Sequence, residues 1–212
     1  MTDGVTAPTL PPLSTIVSTD GRRARRDRNI TTVLDAAVEL FSDDNVVPTM
    51  DQIAARAGLS LRSLYRYFPD ADTLIAAAIA QTVGTARRAA TITDVGSGTF
   101  SHRLDRFVEA RIALHLALTP VIAATLHHAV TNQQLREALH SGRAEQRAQF
   151  EHQFAPEIDA LRRTHRDELV AAADLAAQVE SIELLRSVHT VDAAQRRRVL
   201  RETLATLLSA TD

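Results

Sequence analysis

Apolar positions recur at helical spacing along most of this chain. Ile30, Val33, Leu34, Ala37, Val38 and Phe41 fall at i, i+3, i+4, i+7, i+8 and i+11, one stripe on a helix predicted from about Arg28 to Ser42. The stretch DDNVVP interrupts it, and Asn45 suits a left-handed turn because Asn tolerates positive φ. Thr49 with Gln52 has the form of a capping box, and Ile53, Ala54 and Ala57 give the next helix its buried side. Gly58 stops that helix. Ser60 can cap a short third helix, Leu61 to Tyr67. Asp70 can cap a fourth, from about Ala71 to Thr91, with Leu74, Ile75, Ala78, Ile79 and Val83 as its stripe. Beyond a loop at 95–99, helices are predicted at about 100–118, 120–130, 132–155, 167–188 and 192–209. Thr119-Pro120 and Thr131 with Gln134 mark two of their starts. No strand alternation and no internal repeat is visible. The pattern predicts an all-α fold of about nine helices.

Residues 1–20 break the pattern: they hold three of the seven prolines and no helical period, and read as a disordered tail. The basic run Arg-Arg-Ala-Arg-Arg-Asp-Arg (22–28) follows directly. The expected organisation is a tail (1–20), a small helical head with a basic N-terminal arm (21–70), and a larger helical domain (71–212).

Composition narrows the class. With 212 residues, 45% apolar and 24% charged, the chain has the make-up of a globular protein. It has no cysteine, so disulfides, thiolate metal sites and a Cys nucleophile are excluded. No apolar run reaches membrane-spanning length and no basic-then-apolar leader opens the chain, so a cytoplasmic protein with no membrane partner is expected. All 24 basic residues are arginine. The net charge of −2 hides a gradient: residues 21–67 hold 8 Arg against 6 acids, and residues 68–212 hold 16 against 18. Five of the front arginines lie between positions 22 and 28. Such an arm can lie on DNA phosphates or in a minor groove.

Residues 49–68 read as a helix-turn-helix. Ala54 is small where two helices cross, Gly58 makes the turn, and Leu59, Leu64 and Phe68 join Ile53 in a shared core. The second helix then presents Leu61, Arg62, Ser63 and Arg66 along one side, a form that fits a major groove. The stretch LDAAVELFSDDNVVPTMDQIAARAGLSLRSLYRYFPDADTLIAAAI (34–79) resembles the DNA-binding domain of the TetR family of bacterial transcriptional regulators. The resemblance rests on the AAVELF helix, T-x-x-x-IA-x-x-AG and S-x-x-S-L-Y-x-YF. It implies a ligand-responsive regulator, most often a repressor, that binds a palindromic double-stranded operator as a homodimer and is released by a small-molecule effector. Position by position, it implies that Thr49 and Ser60 cap near phosphates. Leu61 and Arg62 face bases, Arg62 with the fork geometry that bridges guanine O6 and N7. Ser63, Tyr65 and Tyr67 offer hydroxyls, and Arg66 adds charge. Arg22, Arg23, Arg25 and Arg26 of the arm complete the expected DNA-binding set. Two positions depart from the family pattern. Asn45 stands where Gly is usual, and Ala71, flanked by Asp70 and Asp72, stands where a phosphate-gripping Lys is usual. The second departure leaves open a helical ligand-binding or interaction protein with weakened DNA binding.

The second domain carries all 8 histidines, from His102 onward, at no metal-ligand spacing, so no metal and no cofactor is expected. Leu104, Val108, Arg111, His115 and Leu118 share one face. Arg111 and His115 are either a satisfied internal network or the polar end of an apolar pocket for an acidic or hydroxylated small molecule. Phe107, Phe150 and Gln146 complete the candidate ligand set, with Phe154, Gln149 and Gln153 as further candidates. Leu175, Val179 and Ile182 on one helix, with Leu200, Leu204 and Leu207 on the last, belong to wide apolar faces that are either intrachain core or a seam with a second copy in a four-helix bundle, and the resemblance implies the seam. No nucleophile elbow, P-loop, dinucleotide loop or paired carboxylates are present, and an enzyme is not expected.

Overall fold

The computed structural model describes residues 13–44 and 48–209; the Asn45 turn, residues 1–12 and residues 210–212 lie outside the described residues. Every regular element among the described residues is a helix: α1 (Leu13–Asp44), α2 (Met50–Arg56), α3 (Leu61–Tyr67), α4 (Ala71–Ala89), α5 (Phe100–Leu118), α6 (Ile122–Ala129), α7 (Gln133–Gln153), α8 (Ala155–Ile158), α9 (Arg163–Ala177), α10 (Val179–Ser187) and α11 (Ala193–Ser209). The fold is all-α, as the periodicity predicts, with eleven described helices instead of nine.

The excess has two sources. The run expected at 132–155 passes through Phe154 into the separate turn α8. The run expected at 167–188 breaks at Gln178, which takes an extended φ of −66° and ψ of 148°. Neither Gly nor Pro marks the Gln178 break. It is held by side chains: Gln178 Nε2 donates to Asp174 Oδ1, and Ser181 Oγ donates to the Leu175 carbonyl. At the other end, α1 begins at Leu13, well before Arg28, so residues 13–20 of the segment read as a tail are helical and the basic run 22–28 is a helical surface, not an extended arm. Once Pro12 is passed, no residue up to Asp44 blocks a helix, and Arg and Ala favour one.

Local chemistry builds the head as read. Thr49 Oγ1 accepts from the Gln52 N–H while Gln52 Oε1 accepts from the Thr49 N–H at 2.8 Å, a complete capping box. Gly58, at φ +66°, closes α2: its N–H donates to Ala55 and the Leu59 N–H to Ala54, the paired bonds of a Schellman motif. A Cβ at Gly58 would touch nothing within 4 Å, so glycine is required there by backbone conformation alone. Ser60 caps α3 on the Ser63 N–H, and Asp70 caps α4 on the Thr73 N–H at 2.7 Å. Ile53, Leu64 and Leu74, all fully buried, pack with Val33, Ala37 and Phe41 of α1.

This core does not end at residue 70. Leu74, Ile75, Ala78 and Ile79 of α4 belong to it, as do Val121 and Ala124 at α6 and Leu135 of α7. α4 lies along α1 on one side and α5 on the other. A second core joins α5, α7, α9 and α11 around Phe107, Phe150, Phe154 and Ile158. The two parts of the molecule are thus packed through α4 and α6.

Candidate nucleic-acid interface and ligand cavity

α3 is a two-turn rod seated on the head by Leu64 and flanked by the cap residue Phe68, both buried. Its outward residues are Arg62, Tyr65 and Arg66, with Tyr65 half exposed at 50%. Leu61 is partly buried and packs against the head core, so less of it is free for a base than the sequence suggests. Ser60 and Ser63 bond each other, Oγ to Oγ, at 2.9 Å. Thr49 is exposed at the start of α2.

Tyr67 ties the rod to α1. Its hydroxyl oxygen accepts from Asn29 Nδ2 at 3.1 Å and from Arg66 Nη2 at 3.0 Å. These two donors, Asn29 first, hold the phenol below its usual range, with the nearby charges of Arg66 and Arg26 adding to the effect. Both lone pairs are engaged, so the hydroxyl hydrogen is left to donate outward. On a helix, Arg22, Arg25 and Arg26 share the face of Asn29, and Arg22, Arg23, Arg25 and Arg26 are all exposed. The basic stretch of α1 and the C-terminal turn of α3 therefore form one positive surface. Asp70 and Asp72, the acids around Ala71, are exposed; Asp70 is committed as a cap, which holds its carboxyl below the usual range.

In the second domain an apolar cavity of about 320 Å³ opens between α4, α5, α6, α7 and α10. Ile79 and Val83 of α4, Leu114 and Leu118 of α5, Ile122 and Leu126 of α6, Leu135 and Leu139 of α7 and Val179 of α10 form walls. Arg111, Gln146 and Gln149 supply polar groups. Two ion pairs stand at its rim: Arg87 with Glu145 at 3.2 Å, and Arg143 with Glu180.

Of the five residues expected to bind ligand, Arg111 and Gln146 line this cavity and the other three do not. Phe107 and Phe150 are spent on the core, where they meet edge-to-face with centroids 5.6 Å apart and both touch Phe154. His115 is fully buried and turns away to Glu183, its Nε2 2.9 Å from a carboxylate oxygen. A face shared with Arg111 on α5 did not mean a shared destination, because that face meets α7 at one level and α10 at another. Gln153 is also structural: it accepts from the Gly96 N–H and donates to the Arg103 carbonyl, pinning the 95–99 loop. Gln149 does reach the cavity. Arg87 of α4, Arg143 and Glu145 of α7 and Glu180 of α10 were absent from the expectation, and no sequence signal marks them, since charged residues on a helix read as a solvated face.

Arg111 is the unusual group. It is 2% exposed, and burial pushes its guanidinium down to about 10, opposed by the charge of Asp174. Nη1 donates to Gln149 Oε1 and Nη2 to the Gln146 carbonyl, both at 2.6 Å, and the plane sits 4.3 Å over the Phe107 ring.

The residues expected at a subunit interface divide similarly. Val179, Ile182, Leu200 and Leu204 are buried within their own chain, and Leu207 packs against the same core. Only Leu175 is open, at 70%. Both helices carry apolar residues on more than one side, and α5 claims the inward one. The exposed apolar residues of this region are Leu175, Leu184, Val188 and Val199.

The described residues thus form an all-α fold with a helix-turn-helix head, a positive surface beside it and an apolar cavity behind it. Residues 33–78 match the model of the family described as bacterial regulatory proteins, tetR family. Over those residues the chain is similar to the helix-turn-helix head of that family. Comparison with curated protein sequences gives no significant match. Among solved structures, the fold is similar to a TetR-like transcriptional regulator from Rhodococcus sp. RHA1 (19% identity, TM-score 0.60, 85% of this chain and 96% of that one). It is similar to a second transcriptional regulator from the same source (15% identity, TM-score 0.67, again 85% and 96%). It is also similar to the flavonoid-responsive regulator FrrA (19% identity, TM-score 0.59, 87% and 97%). No single described helix is long and apolar enough to cross a membrane.

Proposed function

We propose that this chain is a transcriptional repressor that binds a palindromic operator as a homodimer and leaves it when a small molecule fills the cavity behind α4. The observation that carries the reading is a sharing of residues. Ile79, Val121 and Leu135 line the cavity and also belong to the core of the DNA-binding head. A ligand that moves those side chains acts on the packing that sets where α3 points. Coupling between two such sites typically amounts to about 1–3 kcal/mol. The likeness to a structure described as flavonoid-responsive supports a small-molecule effector in general.

On the DNA side, Arg62 is the base reader, and Tyr67 with Arg66 and the α1 arginines grips phosphate. The reading of a helical binding protein with weakened DNA affinity draws on Ala71 and its acids. The cap made by Asp70 accounts for one of them without reference to DNA.

The test is a footprint and gel shift with the full chain on the DNA flanking its own gene. A protected palindrome is expected, with Arg62→Ala losing about 1–3 kcal/mol of discrimination at one base pair in each half-site. Uniform weak binding to all DNA, unchanged by Arg62→Ala, would reject the reading.

A further inference from the structure

The cavity holds an imbalance of charge. Three arginines and two glutamates line it. Arg87 pairs with Glu145 and Arg143 with Glu180, which leaves Arg111 as the remaining cation. Arg111 is 2% exposed, and among the described residues no carboxylate lies within ion-pairing distance of it; the charge of Asp174 reaches it only from farther away. Its two hydrogen bonds go to neutral oxygens, those of Gln149 and Gln146. Its Nε has no partner, and neither has the buried Oε1 of Gln146. A guanidinium in such a place is completed by an anion far better than by a neutral group, and its planar fork matches a carboxylate.

Resting on the reading of this cavity as an effector site, we infer that its ligand is an amphipathic monocarboxylate. The acid group sits on Arg111, where the Gln149 side chain is close enough to turn its amide and donate to it, with Gln146 on the same cavity lining. The apolar body lies along Val83, Leu114, Leu118 and Ile122. A single negative charge is specified by the single unpaired positive one. A phosphate monoester, with nearly two charges, would leave one of them in an apolar wall.

The experiment is titration calorimetry of the full-length protein with matched probes: decanoate against decan-1-ol, and 4-phenylbutanoate against 4-phenylbutan-1-ol, each below its aggregation threshold. At least one acid is expected to bind roughly ten- to a hundredfold tighter than its alcohol, the range of a charge-assisted hydrogen-bond pair. Arg111→Met is expected to remove the preference and Arg111→Lys to restore part of it, with circular dichroism reporting whether each variant folds. The wild-type comparison stands by itself if neither does. Equal or tighter binding of the alcohols overturns the carboxylate assignment and leaves the effector site in place. If no probe of either kind binds or alters operator affinity, the effector reading fails along with it.

Discussion

At the scale of single residues, His115 shows how a polar group is kept in the interior of this fold. Its ring is fully buried and burial pushes it below the ordinary histidine value of 6.5; Glu183 opposes that shift, and Arg196 and Arg186 add to it. The ring is therefore neutral near pH 7. Nε2 donates to Glu183, and Nδ1 is buried with no partner. Between the folded and unfolded values of its pKa, the unfolded chain binds the proton that the folded chain refuses. Stability therefore falls as pH drops below about 6.5 and levels off once the folded ring also titrates. Glu183 acts in a separate, lower window. Arg186 chiefly holds its carboxyl below the usual range, so its stabilisation is lost only as pH falls through that depressed value. Urea denaturation between pH 7.5 and 5 is expected to show the loss. His115→Gln is expected to flatten that part of the profile while lowering stability at pH 7.5 by about 1–3 kcal/mol for the disturbed network. A variant that keeps the wild-type slope would assign the pH dependence elsewhere.

At the scale of elements, legibility followed locality. The capping box at Thr49, the stop at Gly58, and the caps Ser60 and Asp70 each depend on residues three or four apart, and all four form as read. The break at Gln178 could not be read, because it depends on Ser181 reaching back to Leu175 across an unbroken apolar pattern. Nor could the fate of Phe107 and Phe150, since an aromatic at core spacing does not say whether it meets another ring or a cavity. α1 was misread for a related reason: a polar, arginine-rich stretch gives no stripe, yet arginine favours helix as such. The helical form makes a sharp prediction about the basic stretch. Replacing Arg22, Arg23, Arg25 and Arg26 together by Ala keeps the helix, since alanine is the best helix former, and removes their charge and reach. The slope of log affinity against log salt is expected to lessen by about 0.9 for each phosphate that these arginines no longer neutralise, with the helical circular dichroism unchanged. An unaltered slope would mean that these arginines do not touch DNA.

At the scale of the whole molecule, the two cores are joined through α4 and α6, so in the proposed dimer the spacing of two heads on an operator depends on how two copies are held at the far end. The proposed dimer cannot use Val179, Ile182, Leu200 or Leu204, which already fill their own chain. In this region the exposed apolar residues Leu175, Leu184, Val188 and Val199 are open to it, the first three at 70%, 53% and 64% exposure. Large apolar side chains at that exposure have most of their apolar area still to bury, and a partner face would supply that burial. Leu184→Arg with Val188→Arg is therefore expected to leave the fold of the single chain intact, since substitutions at exposed positions usually change stability by about 0.5 kcal/mol or less. The same pair places two like charges on each copy where a symmetric interface would bring them face to face. Sedimentation velocity at micromolar concentration is expected to show a monomer, and operator affinity is expected to fall far more than binding to a half-site. By contrast, Ile182→Arg would bury a charge inside one subunit and unfold it, which circular dichroism would report. If the doubly substituted protein stays folded, dimeric and tight on its operator, another face joins the subunits and the placement of the heads must be argued from that face instead.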